Sequence, residues 1–450
     1  MMAKFKGYES YVDSGVESIG YMPTGWTLKR LKHVCVLNPS KSEAKLSEDT
    51  EVTFLPMENI LSVGKIDTSL VKEYSEVAVG YTYFRDGDII VAKVTPCFEN
   101  GNIALAQDLT NGIAFGTTEL HVIRPTPKCD RRYIFYLVQS NRFRLEGIAS
   151  MYGVAGLKRI PADFMANFKF ALPSVAEQIQ IADFLDQKTN EIDSVVADKQ
   201  KLISVLDEQR KTLITDAVTK GLNSDVETKD FGVEWIGDIP EHWQVFKIKH
   251  VLSQIEYGIS ESSKGEGEYK LLTMGNISHG EIQIPSGGSL NELDERYLLN
   301  TNDLLFNRTN SLDQIAKVGI FRGSVEDKVT FASYLVRLKV NEKADSEFLN
   351  LLLNCHPFLS YARSFAIPSV SQANLNANRY TNLKIILPPV DEQRAIRDWI
   401  VERSQYINDA IAEINQQIHK LKEYRLSLIF EAVTGKIDVR DLTVEATMMA

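Results

Sequence analysis

Between Ser174 and Lys220 the chain contains neither glycine nor proline, and apolar residues return at steps of three and four: Ile181, Leu185, Ile192, Val195, Leu202, Leu206, Leu213 and Ala217. Lys188, Lys199 and Arg210 fill the turns where an apolar residue is missing. Pro173 stands before the run and Gly221 ends it, which are helix start and stop signals. The pattern returns between Pro389 and Gly435, at Ile396, Ile400, Ile407, Ala410, Ile414, Ile418, Leu421, Leu428 and Ala432. Each stripe predicts a helix of about 65 Å at 1.5 Å per residue. Neither helix can hide such a stripe alone, so the two are expected to cover each other as a coiled-coil seam.

The helices belong to a larger repeat. "LPSVAEQIQIADFL" at Leu172 to Leu185 recurs as "LPPVDEQRAIRDWI" at Leu387 to Ile400, an offset of 215. "GVESIGYMPTGWTLKRLKHV" at Gly15 to Val34 recurs as "GVEWIGDIPEHWQVFKIKHV" at Gly232 to Val251, an offset of 217. Between these anchors the copies diverge. "GDIIVAKVTP" at Gly87 to Pro96 lies opposite "NDLLFNRTNS" at Asn302 to Ser311, and "AFGTTELHVIRP" at Ala114 to Pro125 opposite "TFASYLVRLKVN" at Thr330 to Asn341. Constant scaffold with changed surface text is the pattern of two modules with one fold and different ligands. The expected class is α+β: two similar globular domains joined by a long antiparallel two-helix coiled coil with a pseudo-two-fold repeat. The lines fall at 1–171 and 223–386 for the globular domains, 172–222 and 387–437 for the helices, and 438–450 for a tail.

Composition changes this picture little: 450 residues, 44% hydrophobic and 24% charged, make an ordinary globular chain with room for two or three cores. No apolar run reaches the length of a membrane span, so a cytoplasmic protein is expected. Four scattered cysteines without a CxxC pair argue against structural disulfides and against a zinc site.

Charge matters more. The chain carries a net −10, yet residues 1–171 hold 20 Lys and Arg against 19 Asp and Glu, while residues 223–386 hold 16 against 21. Within the first module, Arg124 to Lys169 contains nine basic and three acidic residues; the matching Arg337 to Lys384 contains six and three. A local basic face can bind phosphates on an acidic chain.

Catalytic signatures are missing. "EAVTGKI" lacks the spacing of a P-loop, no GxGxxG opens a helix, and "VTPCF" and "LPPV" share only proline with the methyltransferase Asn/Asp-Pro-Pro-aromatic loop. Glu177-Gln178 and Glu392-Gln393 read as first-turn carboxylates and caps rather than acid/base groups.

Two diverged units, each preceded by G-V-E-x-I-G-x-x-P-x-x-W and followed by an L-P-x-x-x-E-Q helix ending in "AVTKG" or "AVTGK", resemble the specificity subunit of type I restriction-modification systems. The resemblance covers nearly the whole chain. It implies a non-catalytic subunit of a restriction endonuclease and adenine-N6 methyltransferase complex. Its two target recognition domains would each read half of a split double-stranded DNA site, and the helices would set the gap and dock two methyltransferase subunits. It implies no cofactor in this chain; S-adenosylmethionine, ATP and Mg would belong to the methyltransferase and the restriction/translocase partners. The candidate DNA contacts are polar residues on exposed loops: Lys93, Thr95, Asn100 and Asn102 after one strand, Arg308, Thr309, Asn310 and Gln314 after its counterpart, then Tyr152, Lys158 and Arg159 opposite Ser369, Ser371, Gln372 and Asn374. The other readings are a two-headed protein-binding scaffold and a decayed copy that assembles without reading DNA.

Overall fold

The computed structural model describes residues 5–61, 64–154, 156–230, 232, 235–260, 265–369 and 372–442. The chain divides into two compact units, residues 1–199 with 415–450 and residues 200–414, so each unit takes part of both long helices. The helices run Val175–Lys220 and Val390–Val433. In the first unit Arg425 Nε donates to Asp193 Oδ1 at 3.0 Å and Lys199 Nζ to Gln417 Oε1 at 2.6 Å. The partner number falls as the first rises, so the two helical segments are antiparallel. In the second unit Arg210 Nη1 donates to Asn408 Oδ1 at 2.9 Å.

Most of the expected stripe faces inward. Ile181, Leu185, Ile192, Ile418 and Leu428 are buried in the first unit, Ile396, Ile400 and Ile414 in the second, while Leu206, Leu213, Ile407 and Leu421 are half-buried. Val195 and Leu202 are exceptions, 43% and 46% exposed. Buried Val196 and half-buried Ile203 take their places. A helix of 3.6 residues per turn drifts about 20° per heptad from a strict 3.5 repeat, and a step of four after Ile192 absorbs that drift.

The first unit holds two four-stranded sheets. In one, Glu51–Leu55 pairs parallel with Ile113–Gly116, and Val71–Glu73 and Thr82–Arg85 flank them antiparallel. The other is antiparallel in the order Cys35–Leu37, Leu120–Pro125, Ile89–Ala92, Ile103–Leu105. Ile89–Ala92 is buried at every position, which is why it is written as an unbroken apolar run. The second unit has a six-stranded sheet: Leu252–Tyr257, Leu335–Val340, Leu304–Asn307, Val318–Ile320, Glu281–Ile282, Ile277–Ser278. Lys270–Leu272 and Val329–Phe331 form the parallel pair. Each unit adds two helices in tandem, Arg131–Gln139 with Asn141–Ser150 and Ser346–Asn354 with His356–Ser364.

Strand register corrects one expected alignment. Leu120 lies opposite Ala92, and Leu335 opposite Asn307, the residue 215 positions after Ala92. Leu120 therefore corresponds to Leu335 and Glu119 to Tyr334, one residue away from the match of Ala114–Pro125 with Thr330–Asn341. Sequence similarity is too weak there to hold register; the ladder holds it.

The repeated words are joints. Gln178 is fully buried; its Oε1 accepts from the Asp130 N–H at 2.8 Å and its Nε2 donates to the Pro173 carbonyl at 2.9 Å. Gln393 repeats this with the Asp345 N–H at 2.8 Å and the Pro388 carbonyl at 2.9 Å, adding the Lys343 carbonyl at 3.1 Å. Glu177 accepts from the Trp26 indole at 3.1 Å and Glu392 from the Trp243 indole at 3.1 Å. These four residues thus tie the first turn of each helix to its unit instead of capping it; in the first copy Ser174 Oγ accepts from the Glu177 N–H at 3.3 Å.

Each unit also buries one arginine against the aspartate preceding its central strand. Arg124 grips Asp88 through Nε at 2.7 Å and Nη2 at 2.6 Å and also meets Glu43. Arg337 reaches Asp303 at 3.5 Å, meets Glu256, and donates to the Leu298 and Arg296 carbonyls at 2.7 Å. Burial raises the Asp303 carboxyl above its ordinary range.

Candidate nucleic-acid interface

The two candidate loops of each unit form one structure. In the first unit the chain leaving Ile89–Ala92 is stitched to the hairpin Tyr152–Val154 and Leu157–Arg159. Thr95 N–H donates to the Lys158 carbonyl at 3.0 Å, and its hydroxyl donates to the Gly156 carbonyl at 2.6 Å while accepting from the Lys158 N–H at 3.0 Å. Lys93 N–H donates to the Glu119 carbonyl at 3.0 Å, and its own carbonyl accepts from Ile160 at 2.9 Å. Tyr152 (63% exposed), Leu157 and Lys158 project into solvent on this hairpin. Asn100 is exposed on the preceding turn.

In the second unit Thr309–Asn310 pairs with Ala373–Asn374, which pairs with Ile367–Pro368, giving a three-stranded sheet at the corresponding place. Asn374 Nδ2 donates to Thr309 Oγ1 at 3.0 Å. Gln372 is exposed at the hairpin turn, where its carbonyl accepts from the exposed Ser369 N–H at 2.7 Å. Ser371 lies outside the described residues.

Besides Thr95, Thr309 and Asn374, three further predicted residues spend their side chains on the fold. Asn102 Nδ2 donates inward to the Ile60 carbonyl at 3.2 Å. Asn310 Oδ1 accepts from the Ser311 N–H at 2.8 Å, and the Gln314 amide bonds its neighbours Asp313 and Lys317. These polar loop residues shape the turns that carry them.

The hairpin corner carries different charge in the two units. Arg159 gives both fork nitrogens to Glu119, Nε at 2.9 Å and Nη2 at 2.8 Å. Those hydrogen bonds hold the Glu119 carboxyl below its ordinary value, with Lys93 adding to the effect. Among the described residues the Arg308 side chain makes only long hydrogen bonds, to the Ser333 carbonyl and to Asn374 Oδ1, both at 3.4 Å, and lies over the Tyr257 ring at 5.3 Å.

Sequence reasoning missed a cationic cleft beside the second hairpin. Lys247, Arg379 and Lys384 line it with Asn376, Asn378 and Asn382, and Ile367 forms part of its wall; its volume is about 810 Å³. Lys247 and Lys384 sit directly opposite each other on an antiparallel pair, as do Arg30 and Lys169 in the first unit. Like charges facing across a ladder are mildly destabilising, and all four of these side chains are exposed, where an anion would relieve the repulsion. The available signal was the basic residue at the same place in each repeated tryptophan phrase, Arg30 and Lys247, which read as scaffold. A second concavity of about 520 Å³ is lined by Ser260, Thr273, Ser289, Ser333 and Tyr334 among others, with no charged residue among the described ones; Arg308 bonds the Ser333 and Tyr334 carbonyls.

Among the described residues no helix is long and apolar enough to cross a membrane, and no group of three His, Cys, Asp or Glu side chains could hold a metal ion.

Comparison with known proteins now adds a family. The chain is 23% identical over 446 residues to the EcoKI specificity subunit of Escherichia coli strain K12, covering 93% of this chain and 91% of that one. It is 29% identical over 324 residues to the MjaVIII specificity subunit of Methanocaldococcus jannaschii, covering 70% and 72%. Identity reaches 38% with the EcoAI specificity subunit of Escherichia coli, over 164 residues that make up 36% of this chain and only 27% of that one. The match to the EcoEI specificity subunit likewise spans 27% of that relative. A solved structure from work on complex assembly and conformational transition of the type I R-M system shares the fold, with TM-score 0.68 and 17% identity over 92% of this chain and 99% of that one. Residues 23–203 and 240–422 both match the type I restriction modification DNA specificity domain, and the chain belongs to that family, carrying the domain twice.

Proposed function

We propose that the chain is the DNA-reading, non-catalytic subunit of a type I restriction-modification complex. Each unit reads one half of a bipartite double-stranded site, and the two long helices, paired as an antiparallel coiled coil, fix the spacer and dock two modification subunits. The partners carry the chemistry, with S-adenosylmethionine, ATP and Mg bound there. One observation carries this reading: the joints Trp26–Glu177 and Trp243–Glu392, and Gln178 and Gln393, are the same in both units, while the hairpin corners differ. Identical joints seat the two helices alike, as two copies of one partner require; different half-sites need different corners.

The cationic cleft and the two like-charged strand pairs supply phosphate contacts, which position a duplex without reading it. Binding to duplex DNA should therefore weaken steeply with salt. Replacing Lys384 by Gln should lower the slope of log K against log salt by about one, since one phosphate contact is removed. A protein-binding scaffold would show no such slope. N6-methyladenine mapping after co-expression with the modification subunit tests the full reading: a two-part motif with a fixed gap is expected, and unselective methylation would refute it.

A further inference from the structure

We propose that Arg308 reads a guanine in the half-site of the second unit, and that the residue at position 119 or 334 decides whether a corner arginine is free to read. This deepens the function proposed above and rests on it.

The backbone frame of the corner is shared. Arg308 N–H donates to the Tyr334 carbonyl at 3.0 Å as Lys93 N–H does to that of Glu119. Asn374 occupies the place of Arg159 in the hairpin. In the first unit the carboxylate of Glu119 consumes the arginine fork. In the second unit tyrosine replaces that carboxylate, and among the described residues no acid lies within ion-pair distance of Arg308. Its Nε is buried without a hydrogen-bond partner. A guanidinium has five donors in a planar fork, and here two of them make contacts of 3.4 Å. The Tyr257 ring beneath it restricts the plane of the fork. Nε is closed to solvent, so it is the two terminal nitrogens, held only by long contacts, that suit a partner with two acceptors in one plane.

A guanine edge, through O6 and N7, and a phosphate both qualify. The surroundings separate them. The phosphate-like environment, with three cations and three asparagines, is the cleft containing Lys247, Arg379 and Lys384. Arg308 bonds the Ser333 and Tyr334 carbonyls, and these two residues line the second concavity, whose described lining is uncharged and includes Ser260, Ser289 and Tyr334, residue types suited to base edges. A single under-satisfied arginine among hydroxyls is a reader; clustered cations are holders.

The test uses the chain assembled with its modification subunits and a DNA library randomised in both half-sites. With Arg308→Ala, discrimination at one G·C pair of the second half-site should fall about 10- to 100-fold, the worth of one bidentate arginine–guanine pair. The first half-site should not change. Arg308→Lys keeps the charge without the fork and should relax the same position. Tyr334→Glu should do so as well, by capturing Arg308 as Glu119 captures Arg159; its circular dichroism should match the wild type. If Arg308→Ala and Arg308→Lys weaken methylation of all sequences equally, or relax a position that is not G·C, the guanine assignment is wrong. A wild-type complex that selects no sequence overturns the DNA reading and this inference with it. A wild type with a defined site whose Arg308 variants relax nothing overturns this inference alone.

Discussion

The two units close the same seam by different means. At the end of the first long helix, Gly221 (φ +78°) passes beside Trp243, and the chain continues covalently through the rest of the second unit. At the end of the second long helix, Gly435 (φ +73°) passes beside Trp26, but what it meets is the N-terminal segment, held without a covalent link. Tyr11 Oη donates to the Gly435 carbonyl at 3.0 Å, Asp438 N–H to the Lys6 carbonyl at 2.8 Å, and Tyr8 Oη to Glu177 at 2.7 Å. Arg440 lies over the Tyr8 ring at 4.9 Å. A peptide linker in one copy is replaced by side-chain contacts in the other. The joint is therefore set by packing around the tryptophan, and chain continuity is incidental to it.

Matched substitutions in the two units test how deep this equivalence goes. The largest effect is expected at the buried ion pairs. Asp88→Ala leaves the buried Arg124, whose fork it bonds twice, with Glu43 alone and should cost about 3–5 kcal/mol in urea unfolding of the first unit. Asp303→Ala should cost clearly less, because Arg337 keeps two carbonyls and Glu256. Equal losses would show that the carbonyls contribute nothing.

Next come the glycines. Both occupy left-handed conformations, which cost an alanine about 1 kcal/mol or more. A Cβ at Gly435 would also lie 2.3 Å from Pro23 Cγ, whereas at Gly221 the nearest atom, of Trp243, is 3.2 Å away. Gly435→Ala should lower the unfolding midpoint more than Gly221→Ala and should speed hydrogen exchange in residues 6–23. A larger effect at Gly221 would mean that the covalent closure is the less adaptable one.

The smallest effect concerns pH. Burial holds the His121 imidazole below its ordinary value; Nε2 lies 3.1 Å from the Ile160 carbonyl, while Lys93 and Glu119 act in opposite directions. Unfolding lets it bind a proton near pH 6.5, so the stability it confers is complete above about 6.5 and is lost as pH falls toward the folded value. The slope cannot exceed about 1.4 kcal/mol per pH unit. Val336 is the matching residue, so exchange protection between pH 7 and 5 should fall in Leu120–Pro125 more than in Leu335–Val340, and His121→Gln should abolish the difference.

The long helices were legible because a run without glycine or proline and a three-four stripe are local properties. The slip at Val195 and Leu202 came from reading 3.5 where the helix turns at 3.6. The loops after Ala92 and Asn307 were also legible, as polar text following buried strands. Their union with the later hairpins was not, since Thr95 meets Lys158 only through a long-range ladder. Glu119 was invisible for a similar reason: one acid at a strand start reads as solvated surface until Arg159 is seen to hold it. Register supplied the match with Tyr334 that the divergent text could not.

The glutamine joints have a consequence for how such a protein changes over time. Gln178 and Gln393 bond main-chain N–H and carbonyl groups of their units. At these two glutamines the grip is on backbone, which places no demand on side-chain identity, in contrast to the side-chain pairs Arg132–Asp186 and Arg397–Asp345 beside them. A head of changed sequence is therefore held at the glutamines as before, and the demand it must still meet is confined to the few positions, such as 132 and 345, that pair with helix side chains.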